Sequence, residues 1–157
     1  MKVLVTGANG FVGQELVKAL MSGGHAVDAL DLADTGCLSE QGVSHFYTQD
    51  ISVPFLLNDT WDVVFHLAAY NVTHVGDAAA GMYQRINVNG TENVIKGAPA
   101  DKFVFLSTVK VYERRAGVVD ESGSLAPKGL YEKSKIEAEN VCRQLIDPAC
   151  LVIIRSV

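Results

Sequence analysis

Along the chain, short apolar runs alternate with stretches in which apolar positions recur every three or four residues. The short runs read as strands at Lys2 to Thr6, Ala26 to Asp31, Ser44 to Gln49, Trp61 to Ala68, Lys102 to Ser107 and Cys150 to Arg155. Several are apolar without alternation, as strands buried on both faces are. Phe11, Val12, Leu16, Val17 and Leu20 keep helical spacing until Gly23 and Gly24 stop the helix. The pattern predicts further helices at about Val75 to Ala98, with a break near Gly81, and at Leu130 to Ile146, and a weaker turn near Val53 to Leu57. Gly36 to Gly42 reads as a surface loop. Thr108 to Lys128 is a longer segment without periodicity, of the kind that often carries function.

This order of elements predicts an α/β fold, a Rossmann-type doubly wound parallel sheet of about six strands. With 157 residues, a single domain over residues 1–157 is expected. A composition 48% hydrophobic and 20% charged is that of a globular chain, and no apolar run is long enough to cross a bilayer, so no membrane partner is expected. Met1 and Lys2 lead straight into a strand, without the apolar stretch of a secretory signal, which predicts a cytoplasmic protein. The net charge is -5 and the positive residues are scattered, which argues against nucleic acid as a partner. Cys37, Cys142 and Cys150 form no CxxC pair, and His25, His45 and His74 suggest no metal site.

Thr6-Gly7-Ala8-Asn9-Gly10-Phe11-Val12-Gly13 lies between the first strand and the first helix, the context in which such glycines have a physical meaning. Gly7 permits a tight turn, Gly10 lets backbone N–H groups approach a pyrophosphate, and Gly13 allows close packing of helix on sheet. The helix start adds positive potential and free donors. Asp31, ending the second strand, can accept both ribose hydroxyls and would repel a 2′-phosphate, so NAD is favoured over NADP.

Tyr131 and Lys135 are four residues apart on a predicted helix, so their side chains are neighbours. An ammonium beside a phenol should lower its pKa, and Tyr131 could then exchange a proton with a substrate hydroxyl while hydride passes to or from a nicotinamide. Thr108 stands at a strand's C-terminal end, where parallel sheets place ligands.

With these motifs in order, the sequence resembles the extended short-chain dehydrogenase/reductase family, in its NAD-dependent epimerase/dehydratase branch acting on nucleotide sugars. TGANGFVG resembles the family's TGxxGxxG, Asp50-Ile51 its adenine-contacting pair, and His66-Leu67-Ala68-Ala69 its HLAA signature. Asn87-Val88-Asn89-Gly90-Thr91 is similar to NVxGT, while Ser107-Thr108, Val111-Tyr112 and Tyr131 to Lys135 resemble the catalytic segments. The resemblance implies a cofactor site of Gly7, Gly10, Phe11, Val12, Gly13, Asp31, Asp50, Ile51, Leu67, Ala68, Ala69, Asn87, Ser107, Tyr131 and Lys135. It implies catalysis by Thr108, which orients the substrate oxygen, Tyr131 as acid/base, and Lys135, which tunes Tyr131 and reaches the nicotinamide ribose. His66 reads as a hydrogen-bonded structural histidine.

Glu113 stands where the family has glycine, so the loop carrying Arg114 and Arg115 is expected to follow its own path. In the family a smaller substrate domain follows the last strand, so the chain ending at Val157 is expected to be a fragment impaired in turnover, with apolar surface that favours a homo-oligomer. The leading expectation is an enzyme whose substrate is a nucleotide-diphosphate sugar, transiently oxidised for epimerisation or dehydration. The alternatives are a non-catalytic NAD(P)-binding or redox-sensing module, and a one-domain dehydrogenase for a small alcohol or ketone.

Overall fold

The computed structural model describes residues 1–72, 81–113 and 117–157. Strands β1 (Lys2–Thr6), β2 (Ala26–Asp31), β3 (His45–Thr48), β4 (Trp61–His66), β5 (Ala100–Thr108) and β6 (Leu151–Ser156) form one parallel sheet in the order β3-β2-β1-β4-β5-β6. Strand order reverses between β1 and β4, and a ligand crevice opens above the C-terminal ends at such a reversal. The register puts Thr6 beside Leu30 and His66, and His66 beside Phe105, so those ends finish level. The fold is the Rossmann type that the alternating pattern predicts.

Both faces of the sheet are buried, and the period-two geometry of β1 shows how. Val3 and Val5 face α1 (Phe11–Ser22) and α2 (Cys37–Gln41), packing with Val17, Val27, Ala29 and Leu38. Leu4 faces the other side, where Trp61, Val64 and Phe105 meet Val94 of α3 (Gly90–Gly97) and Ala138 and Cys142 of α4 (Leu130–Leu145). Truncating a fully buried residue such as Leu4 to alanine would cost about 2–5 kcal/mol. Asp28 is buried on β2, yet its carboxylate is satisfied by Trp61 Nε1 at 2.8 Å and Lys2 Nζ at 3.8 Å.

Four departures from the sequence pattern have local causes. The expected loop at Gly36 to Gly42 contains α2, closed at both ends by left-handed glycines (Gly36 φ 81°, Gly42 φ 95°). The Asp34 carboxylate accepts from Gly36 N and Ser39 Oγ, and Leu38 supplies the buried anchor. The turn expected at Val53 to Leu57 is not helical: that segment runs along the end of α3, with Leu57 N donating to Gly97 O at 2.8 Å. β4 stops at His66 rather than Ala68 because β1 ends at Thr6: Leu67 N still donates to Thr6 O, but Ala68 N turns to the Thr6 hydroxyl instead. In the helix expected from Val75 to Ala98, Gly81 is itself helical and the irregularity is a π-helical turn over Tyr83–Asn89, leading into α3. Val75, His74, Arg114 and Arg115 lie outside the described residues.

Candidate active site

A cleft of ≈ 510 Å³ opens over the ends of β1, β2 and β4. Its walls include Gly7, Gly10, Asp31, Asp50, Ile51, Leu67, Ala68 and Ala69, so eight of the residues picked from sequence share one space. Gly7 has φ 68°, and a Cβ there would meet Ala68 N at 2.7 Å; a Cβ on Gly13 would lie 2.2 Å from Gly7 O. No side chain other than glycine's fits this turn. α1 begins at Gly10 with no side-chain cap and no acidic residue in its first turn, which leaves the helix N–H groups and positive end to a ligand anion. Phe11 and Val12 lie exposed on that first turn. Such a cradle fits a dinucleotide diphosphate.

At the rim, Asp31 accepts from Asn9 N and Leu32 N, both at 2.8 Å, which fixes its carboxylate on the cleft wall. Asp50 accepts from Ser52 N at 2.8 Å; the Ser52 hydrogen bonds hold its carboxyl below the usual range, and Arg85 across the cleft adds to the effect. Asn9, Gln49, Tyr70 and Arg85 also line it, together with apolar Leu30, Leu32, Met82 and Ile86, and none of these eight is a site residue expected from the sequence. No periodicity marks them, because they are neighbours only after the sheet forms.

Beneath the floor runs a hydrogen-bond chain whose direction can be assigned from the network. Thr91 Oγ1 donates to Asn87 O at 2.6 Å, so it accepts from His66 Nε2 at 3.0 Å. His66 Nδ1 must then accept from Thr6 Oγ1 at 2.7 Å, and that hydroxyl accepts from Ala68 N at 3.3 Å. Burial, with Lys135 adding, lowers the His66 pKa to about 3, so the ring is neutral. His66 thus spans β1, β4 and α3 and holds the Ala68 amide in place.

Asn87 joins this floor to the far wall. Its Oδ1 accepts from Tyr70 N at 2.6 Å, and its Nδ2 donates to Tyr70 O at 3.0 Å and Ser134 Oγ at 2.9 Å. Ser134 Oγ in turn donates to Tyr131 O at 2.7 Å. The π-helical turn that carries Asn87 is a distortion found often at functional sites.

Ser107 and Thr108 end β5, and Tyr131 and Lys135 lie on the first turns of α4, which packs against it; none of the four lines the cleft. The Tyr131 ring lies 6.4 Å from that of Tyr83, which stacks edge-on with Tyr70. Lys135 is 2% exposed, and its Nζ sits 4.0 Å from the Phe105 ring centroid. Burial brings its pKa down to about 7, against the opposing pull of Cys142 and Glu139. The Tyr131 phenol is pushed up, by burial first and then by Glu132 and Tyr83. The lowering expected from the lysine is therefore reversed here: burial, Glu132 and Tyr83 raise the phenol, and Lys135 is not among the groups that act on it. Thr108 Oγ1 accepts from Lys110 N at 3.3 Å, capping a single 3₁₀ turn (Val109–Val111), and among the described residues nothing accepts its O–H. The Ser107 hydroxyl donates to Glu139 at 2.6 Å, away from the cleft.

Among the described residues, no cluster of His, Cys, Asp and Glu could hold a metal, and no helix is long and apolar enough to cross a membrane. A model of the NAD dependent epimerase/dehydratase family matches residues 3–154. YtcB of Bacillus subtilis (strain 168), an uncharacterized UDP-glucose epimerase, is 29% identical over 160 residues, covering 90% of this chain and 51% of its own length. A 3 beta-hydroxysteroid dehydrogenase/Delta 5→4-isomerase of Mycobacterium tuberculosis (strain ATCC 25618 / H37Rv) is 30% identical over 151 residues, covering 88% of this chain and 41% of its own. The crystal structure of UDP-glucuronic acid 4-epimerase from Bacillus cereus in complex with NAD superposes with a TM-score of 0.82 at 30% identity, over 99% of this chain and 56% of that one. The chain spans about half the length of the curated relatives it matches.

Proposed function

Because this chain belongs to the NAD dependent epimerase/dehydratase family, we propose that it binds NAD across the sheet ends and presents Tyr131, Lys135 and Thr108 to a nucleotide-diphosphate sugar. One observation carries this reading: a turn too tight for any side chain but glycine's, at an uncapped helix start, opens into the same cleft as Asp31, Asp50 and Ile51. Gly7, Gly10 and Gly13 would hold the diphosphate, Asp31 the adenosine ribose, and Asp50 with Ile51 the adenine. Bound NAD supplies reversible hydride acceptance from a sugar carbon. The rest is the work of this chain's own groups.

Tyr131 takes the proton of the substrate hydroxyl as its carbon is oxidised and returns it on reduction. Lys135, with a pKa of about 7, carries a charge that responds to small changes in its surroundings, and in the ammonium form it favours the phenolate. The free O–H of Thr108 orients the substrate oxygen. Nucleotide sugars are the favoured substrate class because the UDP-glucuronic acid 4-epimerase structure aligns over nearly all of this chain. In the same reading the protein is cytoplasmic, with Cys37, Cys142 and Cys150 as free thiols, and self-associates through exposed apolar residues such as Val152 and Ile154.

Calorimetric titration tests the cofactor assignment: NAD should bind, with NADP at least about tenfold weaker because Asp31 faces the 2′ position. Failure of both to bind a folded sample overturns it. Tyr131→Phe should keep NAD affinity and abolish sugar-nucleotide turnover in a form of the protein that turns over; retained turnover overturns the catalytic role. The alternative, a module that uses NAD only as a ligand, finds support in the raised Tyr131 pKa. It predicts that Tyr131→Phe changes nothing.

A further inference from the structure

Tyr131, Lys135 and Glu139 follow one another at four-residue steps along α4, so they form a single stripe. Glu139 is fully buried, and each carboxylate oxygen is bonded twice. Oε1 accepts from Ser107 Oγ at 2.6 Å and Arg155 Nε at 3.0 Å, and Oε2 from Arg155 Nη2 at 2.6 Å and Arg143 Nη2 at 3.0 Å. Arg155, on β6, uses its remaining Nη1 to donate to the Tyr112 hydroxyl at 2.6 Å and lies over the Tyr112 ring. Burial pushes the Glu139 carboxyl up, but the bonds from Arg155, Ser107 and Arg143 outweigh it and hold the group ionised.

The cluster grips the segment between Thr108 and Tyr131 at its base. Ser107 precedes Thr108 directly. Tyr112 lies one turn beyond and bridges antiparallel to Leu125, with Glu113 N donating to Ser124 O and Ala126 N to Val111 O. A buried ion pair contributes little net stability compared with apolar packing, but breaking it leaves an uncompensated buried charge, which disfavours other arrangements of the elements it joins. A slip of α4 by one turn, about 5.4 Å, would part the buried Glu139 carboxylate from Ser107 and from the Arg155 guanidinium, while Arg143, on α4 itself, would travel with it. The charged or titratable groups around Glu139 are Lys135, Cys142 and Arg143 on its own helix, Arg155 on β6 and Tyr112 on the loop.

We propose that Glu139 is a positioning residue: held by Arg155 and Arg143, it fastens Ser107 and fixes α4 against β5 in the register that sets Tyr131 and Lys135 beside the nicotinamide half of the cofactor. This role rests on the reading of the cleft as a NAD site. ADP carries the adenine, its ribose and both phosphates but no nicotinamide, so NAD and ADP probe the two halves separately. In calorimetry on the full chain, Glu139→Gln should weaken NAD by about three- to tenfold and leave ADP unchanged. Arg155→Lys keeps the charge and loses the fork; it should act in the same direction, less strongly, and it decides the matter if Glu139→Gln does not fold. A lowered thermal midpoint with the NAD-to-ADP affinity ratio unchanged is what a merely structural role gives, and it overturns the proposal. So does a wild-type chain that binds ADP as tightly as NAD. A wild-type chain that binds neither overturns the NAD reading and the positioning role with it.

Discussion

At the Gly7–Gly13 turn the chain offers a ligand backbone donors and a helix end, with no fully buried charge, whereas at the β5–α4 end it encloses Lys135 and Glu139 among hydroxyls and aromatic rings. The first region is built from consecutive residues, and its shape follows from which positions lack a Cβ. The second is assembled from β5, β6, the loop after Thr108 and α4, and holds together only when every polar group finds its partner. The first region therefore holds its shape without burying a charge, while the second carries a buried ammonium whose lowered pKa costs stability at neutral pH.

Gly13→Ala should do the most damage. Its Cβ would press on Gly7 O and Ala8, which are backbone and cannot give way, so a loss of about 3 kcal/mol in urea unfolding is expected. Affinity for NAD and ADP should fall together, and a variant that binds both normally would break the contrast between the regions. Lys135→Met should move stability the other way, raising it by about 2 kcal/mol at neutral pH because a buried ammonium is removed. The folded-state pKa of about 7 lies below the ordinary 10.5, so between those values the unfolded chain binds the extra proton. Wild-type stability should accordingly rise with pH through that window, a slope that Lys135→Met abolishes; equal slopes would show that the lysine is not the source. At neutral pH His66→Asn should give the smallest effect of the three, and it sharpens the account of the floor. Unfolded histidine titrates near 6.5 and His66 only near 3, so wild-type stability should fall as pH drops between them, by up to about 1.4 kcal/mol per pH unit. Loss of that part of the slope in the variant, measured by urea unfolding at several pH values, is the expected result.

The same contrast explains what was legible in advance. The six strands were readable because strands buried on both faces leave continuous apolar runs, and their observed ends lie within two residues of the expected ones. The glycine turn, Asp31, Asp50 and the Leu67–Ala69 segment stand out in the sequence because each begins at, or within two residues of, the C-terminal end of a strand. α2 was missed because its helix is too short to show a period and is held by Asp34 and two left-handed glycines instead. The expected turn at Val53 to Leu57 failed because Phe55 and Leu57 are drawn to the end of α3. The Ser107 hydroxyl goes to Glu139, a partner 32 residues away that no local pattern reveals.

From sequence alone came everything that depends on a residue and its near neighbours: strand positions, the turn that only glycine fits, the four-residue spacing of Tyr131 and Lys135, and the acidic residue ending β2. The folded structure decided which distant groups meet: Glu139 with Ser107 and Arg155, Asn87 with Tyr70 and Ser134, and His66 between Thr6 and Thr91. It also decided protonation, reversing the shift expected for Tyr131. The reason is physical. Backbone preference acts within a few residues, while hydrogen-bond partners and the loss of water around a buried charge exist only once the helices have closed over the sheet.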